Sequence, residues 1–376
     1  MKKIGEEKLL LGISENNPRN GEGAFLRLKD GRIMYAYTKY CGTRGDDHDN
    51  AYISAVYSSD EGESWSEDVV IFDKPEGALN IMSVSLLRME NGDLGLIYLK
   101  KEMNGGNILC MPYLHRSTDE GKSFDGGTLM IADPDYYVLN NDRVIRLKSG
   151  RLLFTVARHS IKADGKIESG VIEVYMSDDD GRSFRLAAGS GLKTPLKIND
   201  RGLMEPGLLE LPDGRVWLYI RTDYGYQYES FSADGGETFT SPVPNYKFTS
   251  PESPMLAKNV GGYTVAILNP MPTPGAISLK SFWWDKRFDR TPLVCAVSLD
   301  GGLSFVDGDL TNRKSALLPF VEQCYYLEDD LEESYCYPAI FELDDGFLAA
   351  YYFSNGSGRN LASARITKVK FEEFGI

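Results

Sequence analysis

The chain has 376 residues, of which 42% are hydrophobic and 26% are charged, as is typical of globular proteins. Its formal net charge of −14 argues against nucleic acid and anionic membranes as general binding partners. The five cysteines are dispersed and include no Cys-x-x-Cys pair, which favours free thiols in a reducing compartment.

The amino-terminal segment begins with two lysines and contains a short apolar run. Charged residues interrupt this run, and it is too short for the hydrophobic region of a signal peptide. A stretch of about 18 apolar residues, which a membrane-spanning helix requires, does not occur in the sequence. We therefore expect a cytoplasmic protein.

Six segments each consist of an apolar strand, a turn containing glycine, and a second apolar strand. They span residues 28–37, 88–97, 147–156, 211–220, 259–268 and 343–352. Asp-Gly and Asn-Gly pairs between apolar runs predict two-residue hairpin turns, because such turns need positive φ angles.

A second motif, Ser-x-Asp-x-Gly-x-(Ser/Thr)-aromatic, occurs five times. The copies lie at residues 58–65, 117–124, 177–184, 232–239 and 298–305. The Asp and Ser/Thr side chains can hydrogen-bond the backbone of a turn, the glycine can adopt a left-handed conformation, and the aromatic ring can pack beneath. We interpret the motif as a structural turn that takes no part in catalysis.

One repeat unit of about 60 residues thus contains a hairpin, a third strand, the motif and a fourth strand. Six such units predict an all-β fold, a six-bladed β-propeller of four-stranded antiparallel blades that forms a single domain over residues 1–376. The sixth unit lacks the motif, its equivalent region at 353–363 being degenerate. We expect the amino-terminal run at 8–13 to supply the outer strand of this blade and close the ring.

The repeated motif and the six hairpins resemble the sialidase (neuraminidase) superfamily, whose hallmark is this "Asp box". The likeness extends over nearly the whole chain. It implies a glycoside hydrolase with three arginines that bind the substrate carboxylate, a tyrosine nucleophile, a glutamate that activates the tyrosine, and an aspartate acid/base.

Two segments carry the resemblance for the nucleophile and its base. The segment at 204–223 resembles the family's Asn-Glu-Pro segment followed by a strand ending in arginine, although methionine replaces the asparagine; it implies Glu205 as the base and Arg221 as one arginine. Tyr337 lies eight residues before Asp345 of the last turn, which is the family position of the nucleophile. Tyr335 is the alternative, because residues two apart on a strand face the same side.

The remaining arginines follow from similar positions. Arg290 precedes the strand that leads into the fifth motif, with Arg287 as the alternative. Arg19 lies at the start of the first hairpin, where the family's Ile-Pro is absent and the match is looser. A glutamate so close to Arg19 is unexpected in this family, and Glu22 could narrow the pocket or change its charge.

The family acid/base lies on a loop 11 or 12 residues before a motif serine. Asp47 fits this position best, ahead of Asp46, and Asp49 is less favoured. His48 would hydrogen-bond the acid or the substrate. It has no second histidine at ligand spacing, so the sequence predicts no metal site.

Further polar residues precede the third and fifth hairpins. Asp142 and Arg143 either contact substrate hydroxyls or begin a strand in solvent, and Glu252 lies at a similar position. The insertion at 269–290 contains a Trp-Trp pair, which could form a sugar platform, pack over the propeller or contact another subunit.

The chemistry of an acidic sugar explains the tyrosine. The anomeric carbon of a sialic acid carries a carboxylate, so a carboxylate nucleophile would approach a like charge. A neutral phenol avoids this repulsion, but its pKa of about 10 requires a base. Asp47 would protonate the leaving oxygen, for which its pKa must be raised.

We therefore expect an exo-acting retaining glycosidase that releases terminal sialic acid or a related acidic sugar without a cofactor. One alternative is a propeller glycosidase for a 2-keto-3-deoxy sugar acid or a uronic acid, and another is a non-catalytic carbohydrate-binding propeller. The expected partner is a sialoside or other acidic glycan. The sequence leaves the natural substrate, its linkage and the oligomeric state open.

Overall fold

In a computed structural model of the protein, we describe residues 3–160, 168–194, 201–270, 290–306, 324–330, 332–356 and 361–376. The strands of these residues, in chain order, are β1 (Glu6–Leu11), β2 (Arg19–Arg27), β3 (Ile33–Tyr40), β4 (Ala51–Ser58), β5 (Val69–Phe72), β6 (Ala78–Arg88), β7 (Leu94–Asn104), β8 (Asn107–Ser117), β9 (Thr128–Leu129), β10 (Tyr137–Val138), β11 (Ile145–Arg146), β12 (Leu152–Arg158), β13 (Val171–Ser177), β14 (Arg185–Leu186), β15 (Met204–Glu210), β16 (Val216–Arg221), β17 (Tyr226–Ser232), β18 (Val243–Thr249), β19 (Leu256–Val260), β20 (Tyr263–Leu268), β21 (Leu293–Ser298), β22 (Cys324–Glu328), β23 (Tyr335–Leu343), β24 (Gly346–Phe353) and β25 (Ser363–Lys370).

These strands form six antiparallel sheets, which are the blades of a β-propeller and confirm the predicted fold. Blades I, II, IV and V are β2–β5, β6–β9, β15–β18 and β19–β22. In blade III the innermost position is divided between β10 and β11, which both pair with β12, and β13 and β14 complete the sheet.

Blade VI is built from both ends of the chain. Its strand order is β23-β24-β25-β1, so β1 is the outermost strand and pairs antiparallel with β25. The innermost strand β2 contacts β6 on one side and β23 on the other. The predicted closure by the amino-terminal strand is therefore confirmed, and it covers an edge that would otherwise be exposed.

The hydrophobic core lies between the blades. Six clusters of buried apolar side chains each join two successive blades. Between blades I and II, for example, Ala36 and Ile53 pack with Ile81 and Leu96. The second strand of each blade buries side chains on both faces, which explains why the sequences of these strands are largely apolar.

The five repeated motifs form the same hydrogen-bonded turn between the third and fourth strands. In the first copy, Ser58 donates to Asp60 Oδ1 at 2.8 Å and accepts from the Gly62 N–H at 2.8 Å, while the Ser64 N–H donates to Asp60 Oδ1 at 2.9 Å. Equivalent bonds occur in the copies that begin at Ser117, Ser177, Ser232 and Ser298. This is the turn that the sequence predicts.

The hairpin turns differ in detail from the prediction. The Leu28 N–H donates to the Arg32 carbonyl at 2.8 Å, so three residues lie within the turn, and the last, Gly31, has a φ of 91°. The turns that close at Met89–Asp93, Leu147–Arg151 and Leu211–Arg215 are alike. The prediction of two-residue turns is wrong for these four and correct for the turn at Gly261–Gly262. The last turn also has two residues, but they are Asp344 and Asp345, and Gly346 begins the next strand. A left-handed residue after a type I turn suits the three-residue form.

Helix is confined, within the described ranges, to short segments such as Leu303–Val306 and the 3₁₀ helix Phe371–Phe374. In those ranges no helix is long and apolar enough to cross a membrane. Of the insertion at 269–290, residues 271–289 lie outside the described residues, and with them the tryptophan pair Trp283 and Trp284 and the alternative Arg287.

Candidate active site

A cavity of about 120 Å³ lies where the innermost strands of several blades meet. Its polar lining includes Glu22 of β2, Ser83 of β6, Lys101 of β7, Glu205 of β15, Tyr337 of β23, and Asp47 from the loop between β3 and β4. Apolar side chains such as Met82 and Leu99 complete part of the wall. Three residues predicted from the sequence, Asp47, Glu205 and Tyr337, thus share one cavity.

Four of the lining residues occupy equivalent bulges in four innermost strands. Glu22, Ser83, Glu205 and Tyr337 have φ angles of 25°, 62°, 42° and 52°, and each lies at a shift in the strand register. A bulge breaks the alternation of side chains and re-aims the residue that it contains. Backbone strain at several equivalent positions around one cavity is a feature of functional sites.

The bulge in β23 separates Tyr337 from Tyr335. Tyr335 is 2% exposed and packs in the core between blades V and VI, where its ring stacks with Phe353. The expectation that both tyrosines face the same side is wrong, because the register shifts between Cys336 and Ala339. Tyr337, but not Tyr335, lines the cavity.

A hydrogen-bonded relay joins Tyr337 to two side chains of blade IV. The Tyr337 hydroxyl donates to Glu205 Oε1 at 2.9 Å, and Arg221 Nη1 donates to Glu205 Oε2. Arg221 Nη2 also lies 3.3 Å from an oxygen of Glu252. The Glu205 carboxylate is therefore fixed between a phenol and a guanidinium.

Of the other two predicted arginines, Arg290 contacts the Tyr337 ring, and Arg19 contacts the neighbouring ring of Tyr352. The Arg290 guanidinium lies 5.7 Å from the centroid of the Tyr337 ring and donates to the Glu252 carbonyl at 3.2 Å. The Arg19 guanidinium lies 5.5 Å from the centroid of the Tyr352 ring, and that centroid is 5.6 Å from the centroid of Tyr337. The three arginines come from blades I, IV and V, and they are not part of the cavity lining described above.

Asp47 is held at the mouth of the cavity. Its Oδ1 accepts from Arg19 Nη1 at 2.6 Å, and its backbone carbonyl accepts from Lys101 Nζ at 2.6 Å and from Asn80 Nδ2 at 2.9 Å. Asp49 instead binds the backbone N–H groups of its own loop. Asp47 thus differs from the other loop carboxylates in lining the cavity.

Burial and charge set the protonation of the relay. Burial raises the pKa of Tyr337 well above its usual value, and the Glu205 charge adds to this effect. Burial alone would raise the pKa of Glu205 as well, but the guanidiniums of Arg221 and Arg290 outweigh it and lower that pKa. In the free site, a neutral phenol therefore faces a carboxylate that can accept its proton.

The expected raised pKa of Asp47 is wrong for the free site. Burial acts to raise this pKa, but the charges of Arg19 and Lys101 and the hydrogen bond from Arg19 lower it below the usual value. The Asp47 side chain is 58% exposed, which leaves it accessible at the mouth of the cavity.

The other predicted substrate-binding residues have different surroundings. Arg143 is 2% exposed and donates to the Tyr219 hydroxyl at 3.0 Å, and Asp142 accepts from Lys258 at 2.8 Å and from the Ile340 N–H at 3.1 Å. Both residues form contacts between blades, and neither is part of the cavity lining described above.

His48 is exposed beside Asp47. Across the described ranges, no group of three or more His, Cys, Asp or Glu side chains could hold a metal ion.

Ser83, Lys101 and Tyr352 line or flank the site but were not found from the sequence. Ser83 and Tyr352 lie within apolar strands, Lys101 lies between two charged residues near the end of β7, and no motif marks any of the three. Only the placement of the blades brings Ser83 and Lys101 of blade II to the cavity. Glu22, by contrast, is marked in the sequence by its closeness to Arg19.

Comparisons with known proteins agree with this architecture. A family model described as a BNR repeat-like domain matches residues 17–350. No curated protein sequence gives a significant match.

Several solved structures share the fold. A protein of unknown function from Dyadobacter fermentans has a TM-score of 0.70 and 18% identity, and the match covers 97% of this chain and 99% of that one. A leech intramolecular trans-sialidase complexed with 2,7-anhydro-Neu5Ac has a TM-score of 0.68 and 14% identity, with 100% and 71% covered. An intramolecular trans-sialidase from Ruminococcus gnavus in complex with oseltamivir carboxylate has a TM-score of 0.66 and 13% identity, with 100% and 99% covered.

Proposed function

Because the chain belongs to the BNR repeat-like family and has a sialidase-like fold, we propose that it is an exo-acting retaining glycoside hydrolase. It would release a terminal sialic acid or a related acidic sugar through a tyrosine nucleophile. The observation that carries the proposal is the 2.9 Å hydrogen bond from Tyr337 to Glu205 in the wall of the cavity. We propose further that residues 1–376 act as one domain, since β1 completes blade VI.

In the first step, Tyr337 Oη would form a bond to the anomeric carbon while Glu205 takes the phenolic proton. The bond from that carbon to the leaving oxygen would break, and protonated Asp47 would give its proton to that oxygen. In the second step, water would attack the anomeric carbon and give a proton to Asp47. The tyrosyl oxygen would leave and recover its proton from Glu205.

Arg19, Arg221 and Arg290 would bind the substrate carboxylate. Guanidinium groups suit this task, because they remain charged and offer paired donors. Two of these arginines already lie beside the Tyr337 ring, so a carboxylate between them would place the anomeric carbon near the phenolic oxygen. His48, which is exposed next to Asp47, would contact the leaving group. Asp142 and Arg143 would support the inner strands without touching the sugar.

Binding of the substrate would also prepare Asp47 for its role. In the free site, Arg19 donates to Asp47 and lowers its pKa. A substrate carboxylate would compete for Arg19 and bring a negative charge close to Asp47. Both changes would raise the pKa of Asp47 and allow it to carry the proton for the leaving oxygen.

A screen of aryl glycosides tests the proposal. The set would contain the glycosides of sialic acid, of its deaminated analogue and of the uronic acids, with neutral hexosides as controls. We expect release of aryl alcohol from at least one acidic glycoside and from none of the neutral ones. Product analysis should distinguish a free sugar from an anhydro sugar, since two of the compared proteins are intramolecular trans-sialidases. Binding without turnover would instead indicate a carbohydrate-binding propeller.

A further inference from the structure

Glu22 is a third acidic residue in the cavity, and the proposed reaction does not use it. Its side chain lines the cavity together with Asp47, Glu205 and Tyr337, yet the residue is only 5% exposed. It lies in a bulge of β2 with a φ of 25°, at the position that Glu205 occupies in β15 and Tyr337 in β23. The repeat of the fold therefore directs Glu22 to the same space as the two reacting groups.

The contacts of Glu22 are few for a buried carboxyl group. Ser83 Oγ donates to Glu22 Oε2. Among the hydrogen bonds of the described residues, this is the bond that engages the carboxyl group, and it involves one of the two oxygens. The other oxygen can therefore accept a hydrogen bond from a ligand in the cavity or donate one to it.

The charges around Glu22 have opposite effects. Arg19, three residues earlier on the same strand, attracts a negative charge, whereas Asp47 and Glu205 across the cavity repel it. Lys101 contributes a cation from β7 to the same wall. Burial has the largest effect, and together these influences raise the pKa of Glu22 to about 7.

The remaining titratable neighbours of Glu22 do not change charge near neutral pH. Burial raises the pKa values of Tyr35, Tyr40, Tyr136 and Tyr352 above their usual range, and it raises that of Cys110 to about 12.

The pKa values of the groups in the proposed reaction are also shifted away from neutral pH. The pKa values of Asp47, Glu205 and His48 are lowered, and that of Tyr337 is raised. In the ligand-free site, a transition between about pH 7 and 8 would therefore belong to Glu22, and the Glu22→Gln variant separates it from proton uptake by Asp47 on binding.

We propose that Glu22 is a specificity-determining residue, which binds the acidic sugar in its protonated form and so couples binding to the uptake of one proton. The inference rests on the proposed function, because Arg19 would hold the sugar carboxylate close to Glu22. Protonated Glu22 can donate a hydrogen bond to an oxygen of the sugar. Ionised Glu22 would repel the sugar carboxylate and would compete with it for Arg19.

Binding of the 2,3-unsaturated analogue of sialic acid, measured by calorimetry from pH 5.5 to 8.5, tests this inference. For the wild-type protein we expect the Kd to rise above pH 7, approaching tenfold per pH unit. Near pH 8, titrations in two buffers of different ionisation enthalpy should show uptake of close to one proton for each ligand bound.

Two variants assign the transition to Glu22. Glu22→Gln should bind with a Kd that is nearly constant from pH 6.5 to 8.5. Ser83→Ala removes a hydrogen bond that favours the ionised form, so its transition should move to higher pH. A thermal melt checks that each variant is folded.

The possible outcomes separate this inference from the proposed function. Binding by the wild-type protein with a constant Kd, or an unchanged pH dependence in Glu22→Gln, would overturn the role of Glu22 and leave the proposed function standing. If the wild-type protein binds neither this analogue nor its deaminated counterpart at any pH, the proposed function fails, and the inference fails with it.

Discussion

The hydroxyl of Tyr337 donates a hydrogen bond to Oε1 of Glu205 at 2.9 Å, although 132 residues separate them in the sequence. Arg221 binds the other oxygen of the same carboxylate. The two residues lie in equivalent bulges of blades VI and IV, which direct both side chains to one cavity. A phenol and an ionised acceptor in direct contact are the arrangement that an activated oxygen nucleophile needs.

Tyr337→Phe should abolish turnover while leaving the fold intact. The substitution removes one oxygen and keeps the ring, with its contacts to Arg290 and Tyr352. We expect kcat for an acidic aryl glycoside to fall by at least a thousandfold, with a melting temperature close to that of the wild type. Tyr335→Phe is the matched control, because that ring packs in the core two residues away, and it should retain activity. Equal losses in both variants would contradict the assignment.

Glu205→Gln should also impair turnover severely. Glutamine preserves the shape of the side chain but is a poor proton acceptor, so we expect a loss of about 10²–10⁴ in kcat. Glu252→Gln provides the comparison, since Glu252 contacts the same guanidinium of Arg221 without contacting Tyr337 in the described hydrogen bonds. Its loss should be much smaller. If the two variants lose activity equally, Glu205 acts by positioning Arg221.

Arg290 should act mainly on binding of the carboxylate. We expect Arg290→Ala to weaken binding of an acidic sugar by about 2–5 kcal/mol and Arg290→Lys to weaken it less, because lysine keeps the charge but loses the paired donors. Calorimetry with the acidic sugar and with its uncharged methyl ester separates the effects. Should the ester lose as much affinity as the acid, Arg290 does not recognise the carboxylate.

Glu22→Gln should stabilise the protein at alkaline pH relative to the wild type. The folded protein raises the pKa of Glu22 from 4.5 to about 7, so the folded state binds this proton more tightly than the unfolded state. The wild type therefore loses stability from this group as the pH rises from 4.5 to about 7, by up to about 3 kcal/mol, whereas glutamine is unaffected.

Thermal melts at pH 5 and pH 8 measure this effect. The melting temperature of Glu22→Gln relative to the wild type should increase between the two values. Glu372→Gln, at a side chain that is 77% exposed, should show no such change. A difference between Glu22→Gln and the wild type that is the same at both pH values would argue against a buried, proton-binding Glu22.

The blades could be predicted because their signals are local. Each hairpin glycine and each Ser-x-Asp turn acts within a few residues, and an unpaired apolar run at the amino terminus suits the one blade that lacks an outer strand. The length of the hairpin turns was less predictable, since Asp-Gly fits both a two-residue turn and the last two positions of a three-residue turn.

The site was less accessible to sequence reasoning because the contacts that form it are distant in the chain. The spacing to Asp345 favours Tyr337, but the alternation of side chains along a strand could not exclude Tyr335, because the bulge at Tyr337 appears only in the folded chain. The lowered pKa of Asp47 depends on Arg19 and Lys101, which approach it only in the folded chain. Ser83 lies in an apolar strand and becomes a partner of Glu22 through the contact of β2 with β6.

Covalent labelling tests the central claim most directly. A fluorinated acidic glycosyl fluoride that forms a glycosyl-enzyme rapidly and releases it slowly should add one sugar to the protein, and peptide mapping should place it on Tyr337. Glu205→Gln should label more slowly, and Tyr337→Phe should remain unlabelled at this position. A product of inverted anomeric configuration, formed without any labelled tyrosine, would contradict the account and leave Asp47 and Glu205 as a conventional pair of carboxylates.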